Sequence, residues 1–168
     1  AVDNDGNLYV SDTFNNRVEI FDADGGFIST FGKNGDGPAD LERPKGIAVD
    51  GDGHIWVVDD AQDKIKVFNN QGRLLIYMGD HGFYPGQFMG AWGIAIDKLN
   101  RVIVSETYPG RVQVFRYITD AEAAAEKARR EAGEQKTASA TAPEQKSPAA
   151  QQSQATADAS AKKDSAAH

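Results

Sequence analysis

Cysteine is absent from the 168 residues, which excludes disulfides, thiol chemistry and covalent haem attachment without fixing a compartment. Histidine is scarce. His54 follows a turn, His81 sits in a loop and His168 lies at the far end, so the three assemble neither a zinc set nor a catalytic triad. No apolar run reaches membrane length, and no leader-type segment stands at the start. The chain opens on Ala1 without a methionine, and the expectation is that further sequence precedes it. A basic stripe is missing too. Up to Tyr117 there are 17 acids and 11 bases, giving −6, and the remainder has 8 and 7, giving −1, which argues against nucleic acid as a partner.

What the sequence does contain is a repeat. Asp3, Asp50 and Asp97 are 47 apart, as are Arg17, Lys64 and Arg111, and Phe21, Phe68 and Phe115. A constant period over three copies marks a repeat architecture before any residue is interpreted. The stretch from Gly46 to Gly79 is the one complete copy. Its apolar runs, Ile47 to Val49, Ile55 to Val58, Ile65 to Phe68 and Leu74 to Tyr77, are short and β-rich, with Asp52-Gly53 and Gln71-Gly72 at hairpin spacing. Four antiparallel strands and a period in the forties describe a propeller blade. The shorter period and asparagine ladder of a leucine-rich solenoid are absent, and so is the three-and-four apolar spacing of a helical repeat.

At these residues the chain resembles the NHL-repeat family of β-propellers. Pro44 to Gly79 follows the family pattern of Pro-x-Gly-Ile-Ala-Val-Asp, an Asp-Gly turn, a second strand ending in Asp, a third ending in Val-Phe, and a closing Phe-Gly, for which this copy has Met78-Gly79. Ala1 to Gly32 follows it with the start missing. The third copy departs most: Leu99-Asn100 replaces the Asp-Gly turn, and Pro109-Gly110 replaces the Asn pair. The resemblance implies an all-β fold of four-stranded antiparallel propeller blades, a partial propeller whose full protein is six-bladed. Residues 1–117 form the blades, with 1–32 partial, 33–79 complete and 80–117 lacking an outer strand. Three blades cannot close a ring. Leaving several hundred Å² of blade face wet forfeits of order 10 kcal/mol at roughly 25 cal/mol per Å², so either N-terminal blades or a second chain is expected to complete it.

Two corresponding loops, Lys33 to Lys45 and Asp80 to Trp92, join the copies. Both carry Gly-x-x-Pro and an apolar residue three further on, Leu41 and Phe88, expected to plug between blades. What differs is more informative: Asp36, Gly37 and Lys45 become Phe83, Tyr84 and Trp92, beside His81 and Met89. Loops on the rim of a rigid ring are where such scaffolds bind, and aromatic side chains anchor partners. His81, Phe83, Tyr84, Met89 and Trp92 are therefore the candidate binding loop. The plainer alternative is that Trp92 packs on the adjacent blade. Asp12, Asp59 and Glu106 each precede a base by five, at Arg17, Lys64 and Arg111, which predicts a repeated structural ion pair across a hairpin.

Asp3-x-Asp5-Gly6 and Asp50-x-Asp52-Gly53 invite a calcium reading, but the glycine is misplaced for a calcium hand and no closing glutamate follows. These acids are expected to bond turn amides. No catalytic residue, metal or cofactor is assigned. Related propeller enzymes, the amidating lyases and gluconolactonases, place metal ligands around the central channel, where this chain offers Ala48, Val49, Ala95 and Ile96. The resemblance implies a non-catalytic scaffold binding a protein or polymer through inter-blade loops, part of a longer, extracytoplasmic bacterial protein. The alternative is a piece of a lyase- or lactonase-like enzyme whose ligands lie in other blades. Past the propeller, Thr119 and Glu122 form a capping box before an alanine-rich helix over 118–134, and 135–168 reads as a disordered low-complexity tail.

Overall fold

The computed structural model describes residues 1–118 and 122–131. The first unit, Ala1–Thr119, holds ten strands in three antiparallel sheets. β1 (Leu8–Asp12), β2 (Arg17–Phe21) and β3 (Phe27–Phe31) form the first sheet, with a single 3₁₀ turn at Thr13–Asn15 between β1 and β2. β4 (Pro44–Val49), β5 (Ile55–Asp59), β6 (Lys64–Phe68) and β7 (Leu74–Met78) form the second. β8 (Ala91–Ile96), β9 (Arg101–Glu106) and β10 (Arg111–Arg116) form the third. Each sheet is a meander in chain order. The second is a complete four-stranded propeller blade, and in the first sheet a bridge from Val2 to Leu8 marks the place of an inner strand.

The 47-residue offset is kept in backbone detail. Asn16, Asp63 and Gly110 occupy one left-handed loop position, with φ of 57, 50 and 78°. Gly6, Gly53 and Asn100 occupy another, at 87, 81 and 56°. Asparagine tolerates that conformation better than other side-chain-bearing residues, so the Leu99-Asn100 turn keeps the hairpin despite losing its glycine.

Alternation along β5 explains why the middle sheet is buried on both faces. Ile55 and Val57 join Tyr9, Val18, Ile20, Leu41 and Phe68 in one core, between the first and second sheets. Trp56 and Val58 point the other way, into a core with Ile65, Val67, Phe88, Ala91, Val102 and Val104. All five β5 residues are buried, whereas β10 alternates between half-buried and exposed, Val112 and Val114 on one of its faces being 61 and 57% open. The expected plugs are seated: Leu41 and Phe88 are fully buried, one in each core. Gly79 makes room for the second, since at φ 101° a Cβ there would stand 2.4 Å from the Phe88 ring.

The second unit, Asp120–His168, contains a helix over 122–131. Arg130 pairs with Glu126 at 2.6 Å and Lys127 with Glu131 at 4.0 Å along it. The expected helix over 118–134 extends beyond these bounds at both ends, and the low-complexity tail lies outside the described residues.

Candidate binding rim

The loops between sheets and the hairpin loops after β1, β5 and β9 share one rim. Asp60 donates its backbone N–H to the Arg43 carbonyl at 3.1 Å, and Thr107 donates to that of Gly90 at 2.8 Å. The side-chain amide of Asn16 reaches the Glu42 carbonyl at 2.7 Å, and that of Gln62 reaches Gly35 at 2.9 Å. Each inter-sheet loop is thus strapped to a hairpin loop beside it.

The two inter-sheet loops are closed by corresponding backbone bonds, although Gly82, Gly86 and Gly90 take φ of 152, 84 and 64° where Gly35, Ala39 and Arg43 keep negative φ. Leu41 N–H bonds the Lys33 carbonyl and Phe88 N–H that of Asp80, at 2.9 and 2.8 Å. Asp40 N–H bonds the Gly37 carbonyl and Gln87 N–H that of Tyr84, at 3.0 and 2.9 Å. Tyr84 therefore stands where Gly37 does, at the start of a turn closed by the same bond, while Gly86 at φ 84° makes the turn itself a different one from that through Ala39; the Tyr84 ring is an addition to the surface. Phe83, Tyr84 and Trp92 are 53, 76 and 56% exposed. The Phe83 ring meets Tyr108 edge-on with centroids 6.2 Å apart. Trp92 has the Lys45 ammonium 4.5 Å from its ring centroid, so the adjacent blade touches it yet leaves more than half of it open. His81 pairs with Asp63 at 2.6 Å, fixing the loop's near end, and Met89 is half-buried, its N–H held by Glu106 at 3.0 Å. Of the five candidates, three present open rings and two tie the loop down.

Two exposed aromatics of this rim carry no mark in the sequence reading. Phe14 and Tyr108, 97 and 63% exposed, occupy the same position in the hairpin loops after β1 and β9. The signal was there at the 47-residue offset, interrupted by Ala61 in the middle copy.

The repeated acids behave differently from copy to copy. Arg17 pairs with Asp12 at 3.0 Å, and Arg111 with Glu106 at 2.7 Å. The expected Asp59–Lys64 pair does not form, although the two residues stand opposite one another in the ladder. Lys66, on the same face two residues on, takes the carboxylate at 3.0 Å, with both side chains fully buried. Its ammonium also donates to Gln62 Oε1 at 2.9 Å and to the Asp40 carbonyl. Three acceptors surround the deeper lysine, so Lys64 turns outward to Asp80 at 3.2 Å. Asp59 further accepts the N–H groups of Glu42 and Arg43 at 3.1 and 2.9 Å.

In the third sheet Gln113 stands where Lys66 does, and its amide donates to Glu106 at 2.7 Å and to the Gln87 carbonyl at 2.8 Å. Burial opposes ionisation of Glu106, but the Arg111 guanidinium, the Gln113 amide and the Met89 N–H outweigh it and hold the carboxyl below its ordinary pKa. Arg111 also donates to the carbonyls of Phe83 and Gln87, so the base in this pair positions the aromatic loop.

On the opposite edge of the sheets, Asp3, Asp50 and Asp97 cap the hairpin turns as expected. Asp50 Oδ1 accepts the N–H groups of Asp52 and His54 at 3.0 and 2.8 Å, and Asp97 Oδ1 does the same for Leu99 and Arg101 at 2.9 and 3.0 Å. Asp50, Asp52 and His54 bring possible ligand atoms within 4.8 Å of one another. Yet Asp50 Oδ2 is taken by the Trp56 indole N–H at 2.9 Å and faces His54 Nδ1 at 3.0 Å. The same turn recurs around Leu99, which offers no ligand, so its shape belongs to the hairpin rather than to a cation. At Asp3, Oδ2 accepts the Tyr9 hydroxyl at 3.0 Å, and burial with that carboxylate pushes Tyr9 up to about 12.

No curated protein matches the sequence. Among solved structures the chain is similar to a catalytically inactive virginiamycin B lyase from Staphylococcus aureus with quinupristin, at 16% identity and TM-score 0.48, covering 71% of this chain and 41% of that one. It is also similar to the selenomethionine form of that lyase, at 16% identity and TM-score 0.43, covering 71 and 40%. A third similar structure is Kuenenia stuttgartiensis hydrazine synthase, at 18% identity and TM-score 0.41, covering 64 and 31%. The chain thus spans about two fifths of the lyase chains. Residues 2–66 match a family described as a 6-bladed β-propeller, and residues 88–115 match the NHL repeat. With the three blade-like sheets and their unbroken 47-residue offset, these matches identify the chain as an NHL-repeat β-propeller.

Proposed function

We propose that the chain is a non-catalytic propeller scaffold that binds a protein or polymer partner through the loop between its second and third sheets. The observation that carries this is the comparison of two loops closed by corresponding backbone bonds. Where the first has Asp36, Gly37 and Lys45, the second has Phe83, Tyr84 and Trp92, with all three rings open to solvent and Tyr108 beside Phe83. Exposed aromatics on a fixed backbone offer contact area at low conformational cost. Arg111, anchored on Glu106, holds the Phe83 and Gln87 carbonyls, so the surface is preorganised. The acidic balance of the propeller residues speaks for a partner other than nucleic acid. An extracytoplasmic setting belongs to the same proposal and rests on the family resemblance and the composition of the tail.

The test is to write the first loop's residues into the second. The triple variant Phe83→Asp, Tyr84→Gly, Trp92→Lys is expected to keep the unfolding midpoint of the parent, because more than half of each ring is open to solvent and none fills either core. Binders selected on the parent chain from a peptide library and a polysaccharide panel are expected to lose at least about tenfold in affinity for the variant, roughly 1.4 kcal/mol or more. Selected binders that hold both proteins equally well would place recognition elsewhere.

A further inference from the structure

We propose that β7 is an edge through which two copies of the chain pair, strand against strand, about a two-fold axis. The second sheet is covered on both faces, by the first and third sheets, so its open side is the outer edge. Among the described residues β7 bonds only to β6, which leaves a row of backbone N–H and C=O groups facing outward. Such edges are normally guarded by charge, proline or a bulge on the free side. The residues of β7 are Leu74, Leu75, Ile76, Tyr77 and Met78, without a charge or a proline; its one irregularity is a bulge at Leu75, towards its start, and Ile76 at its centre is 61% exposed.

The occupant follows from what each edge does against its own copy. Antiparallel pairing of β7 about its midpoint sets Ile76 opposite the partner's Ile76, Leu75 opposite the partner's Tyr77 and Leu74 opposite the partner's Met78. Every pair is apolar, and branched or aromatic neighbours across a ladder are favourable. The nearest flanking charges, Arg73 and Asp80, fall opposite glycines, the partner's Gly79 and the partner's Gly72. The same operation on β10 puts Arg111 opposite the partner's Arg116, a like-charge pair that disfavours the match. On β3 it sets Phe27 opposite the partner's Phe31, but Ser29 falls opposite the partner's Ser29 and Ile28 opposite the partner's Thr30, so its centre pairs polar residues where that of β7 pairs apolar ones. Of the three outer edges, β7 is the one whose every self-pair is apolar. Two five-residue edges bury less than the ~800 Å² per partner of a standard interface, so the pairing is transient and depends on concentration.

The experiment is light scattering of the full chain from low micromolar to near-millimolar concentration. The weight-average mass is expected to rise from 18.1 kDa toward twice that value. Ile76→Lys is expected to hold the chain at monomer mass with an unchanged unfolding midpoint, weakening association at least tenfold. Should that midpoint move, Leu75→Lys reads the same edge. Val114→Lys, on the open face of the third sheet, is expected to leave the mass rise intact, and amide exchange along β7 should slow as concentration rises. A flat monomer mass in the parent overturns the proposal. So does a mass rise that survives both β7 variants, or one abolished by Val114→Lys, which would put association on the third sheet.

Discussion

Replacing Lys66 with methionine isolates one charge. The thioether keeps most of the buried stem, so apolar burial changes little, while the ammonium and its three acceptors are lost. Asp59 is left fully buried, with only the N–H groups of Glu42 and Arg43 at 3.1 and 2.9 Å. The Asp40 carbonyl and Gln62 Oε1 lose a donor as well. Removing one partner of a buried pair strands the other, and Lys66→Met is expected to cost ~3–5 kcal/mol. Lys66→Gln writes in what the third sheet has, where Gln113 bonds Glu106 and the Gln87 carbonyl. Because an amide can serve the same two acceptors, its cost is expected to be ~1–2 kcal/mol. Adding Lys64→Arg supplies the counterpart of Arg111, and the double variant should recover about half of that; the exposed Asp80 pair given up in exchange is worth little. Urea unfolding followed by fluorescence of Trp56, buried in the second sheet with its indole N–H on Asp50, measures each step. The reasoning fails if Lys66→Met loses less than about 1 kcal/mol, or if glutamine is as damaging as methionine.

The plugs and the titrating groups give further outcomes. Phe88→Ala should cost ~3–5 kcal/mol and Leu41→Ala ~2–5 kcal/mol in the same urea assay, because each empties a fully buried site between two sheets. Gly79→Ala combines a φ of 101° with a Cβ 2.4 Å from the Phe88 ring and should lose more than ~1 kcal/mol, read as a drop in urea midpoint at constant slope. In alkali, Tyr9 keeps its proton to about 12 when folded, above an unfolded value near 10. Its contribution is therefore complete below pH 10 and lost as pH rises toward 12, and Tyr9→Phe should remove that loss from the stability profile. In acid the sign reverses for Glu106, whose folded pKa is depressed. Its contribution is present above the unfolded carboxylate value near 4 and falls away as pH drops through the folded one, so Glu106→Gln should flatten the acid limb of a midpoint-against-pH plot.

Strand positions, turns and plugs were legible in the sequence because each depends on a local pattern or on the period. Ile55 to Val58 reads as a strand from β-rich composition, and Leu41 and Phe88 read as plugs because they recur 47 apart in matching loops. The partner of Asp59 was not legible. Sequence spacing points to Lys64, which does face it across the ladder. The choice of Lys66 depends on depth: its ammonium meets three acceptors, two of them from outside its own strand pair. No count along the chain shows that the Asp40 carbonyl hangs over position 66. Phe14 and Tyr108 were missed for another reason, since a position filled by Phe, Ala and Tyr does not register as a repeat.

Both informative sites break the period, and the way each break is resolved tells structure from function. At the position of Glu19, Lys66 and Gln113 the residue type changes completely, and each change is answered inside the protein: Glu19 pairs with Arg17 at 2.7 Å, Lys66 with Asp59, and Gln113 with Glu106. A buried polar group left unanswered would cost more than a domain can spare, so variation there is compensated variation. Where Asp36, Gly37 and Lys45 give way to Phe83, Tyr84 and Trp92, the bonds that close the loop are kept and the rings gain few contacts of their own. Folding does not require these rings, since more than half of each stays in solvent and the first loop closes with the same bonds without them. An uncompensated apolar substitution at an exposed site is a mild liability for a lone molecule and an asset for one with a partner, which is why the rim, and not the buried acids, is the surface to mutate for function.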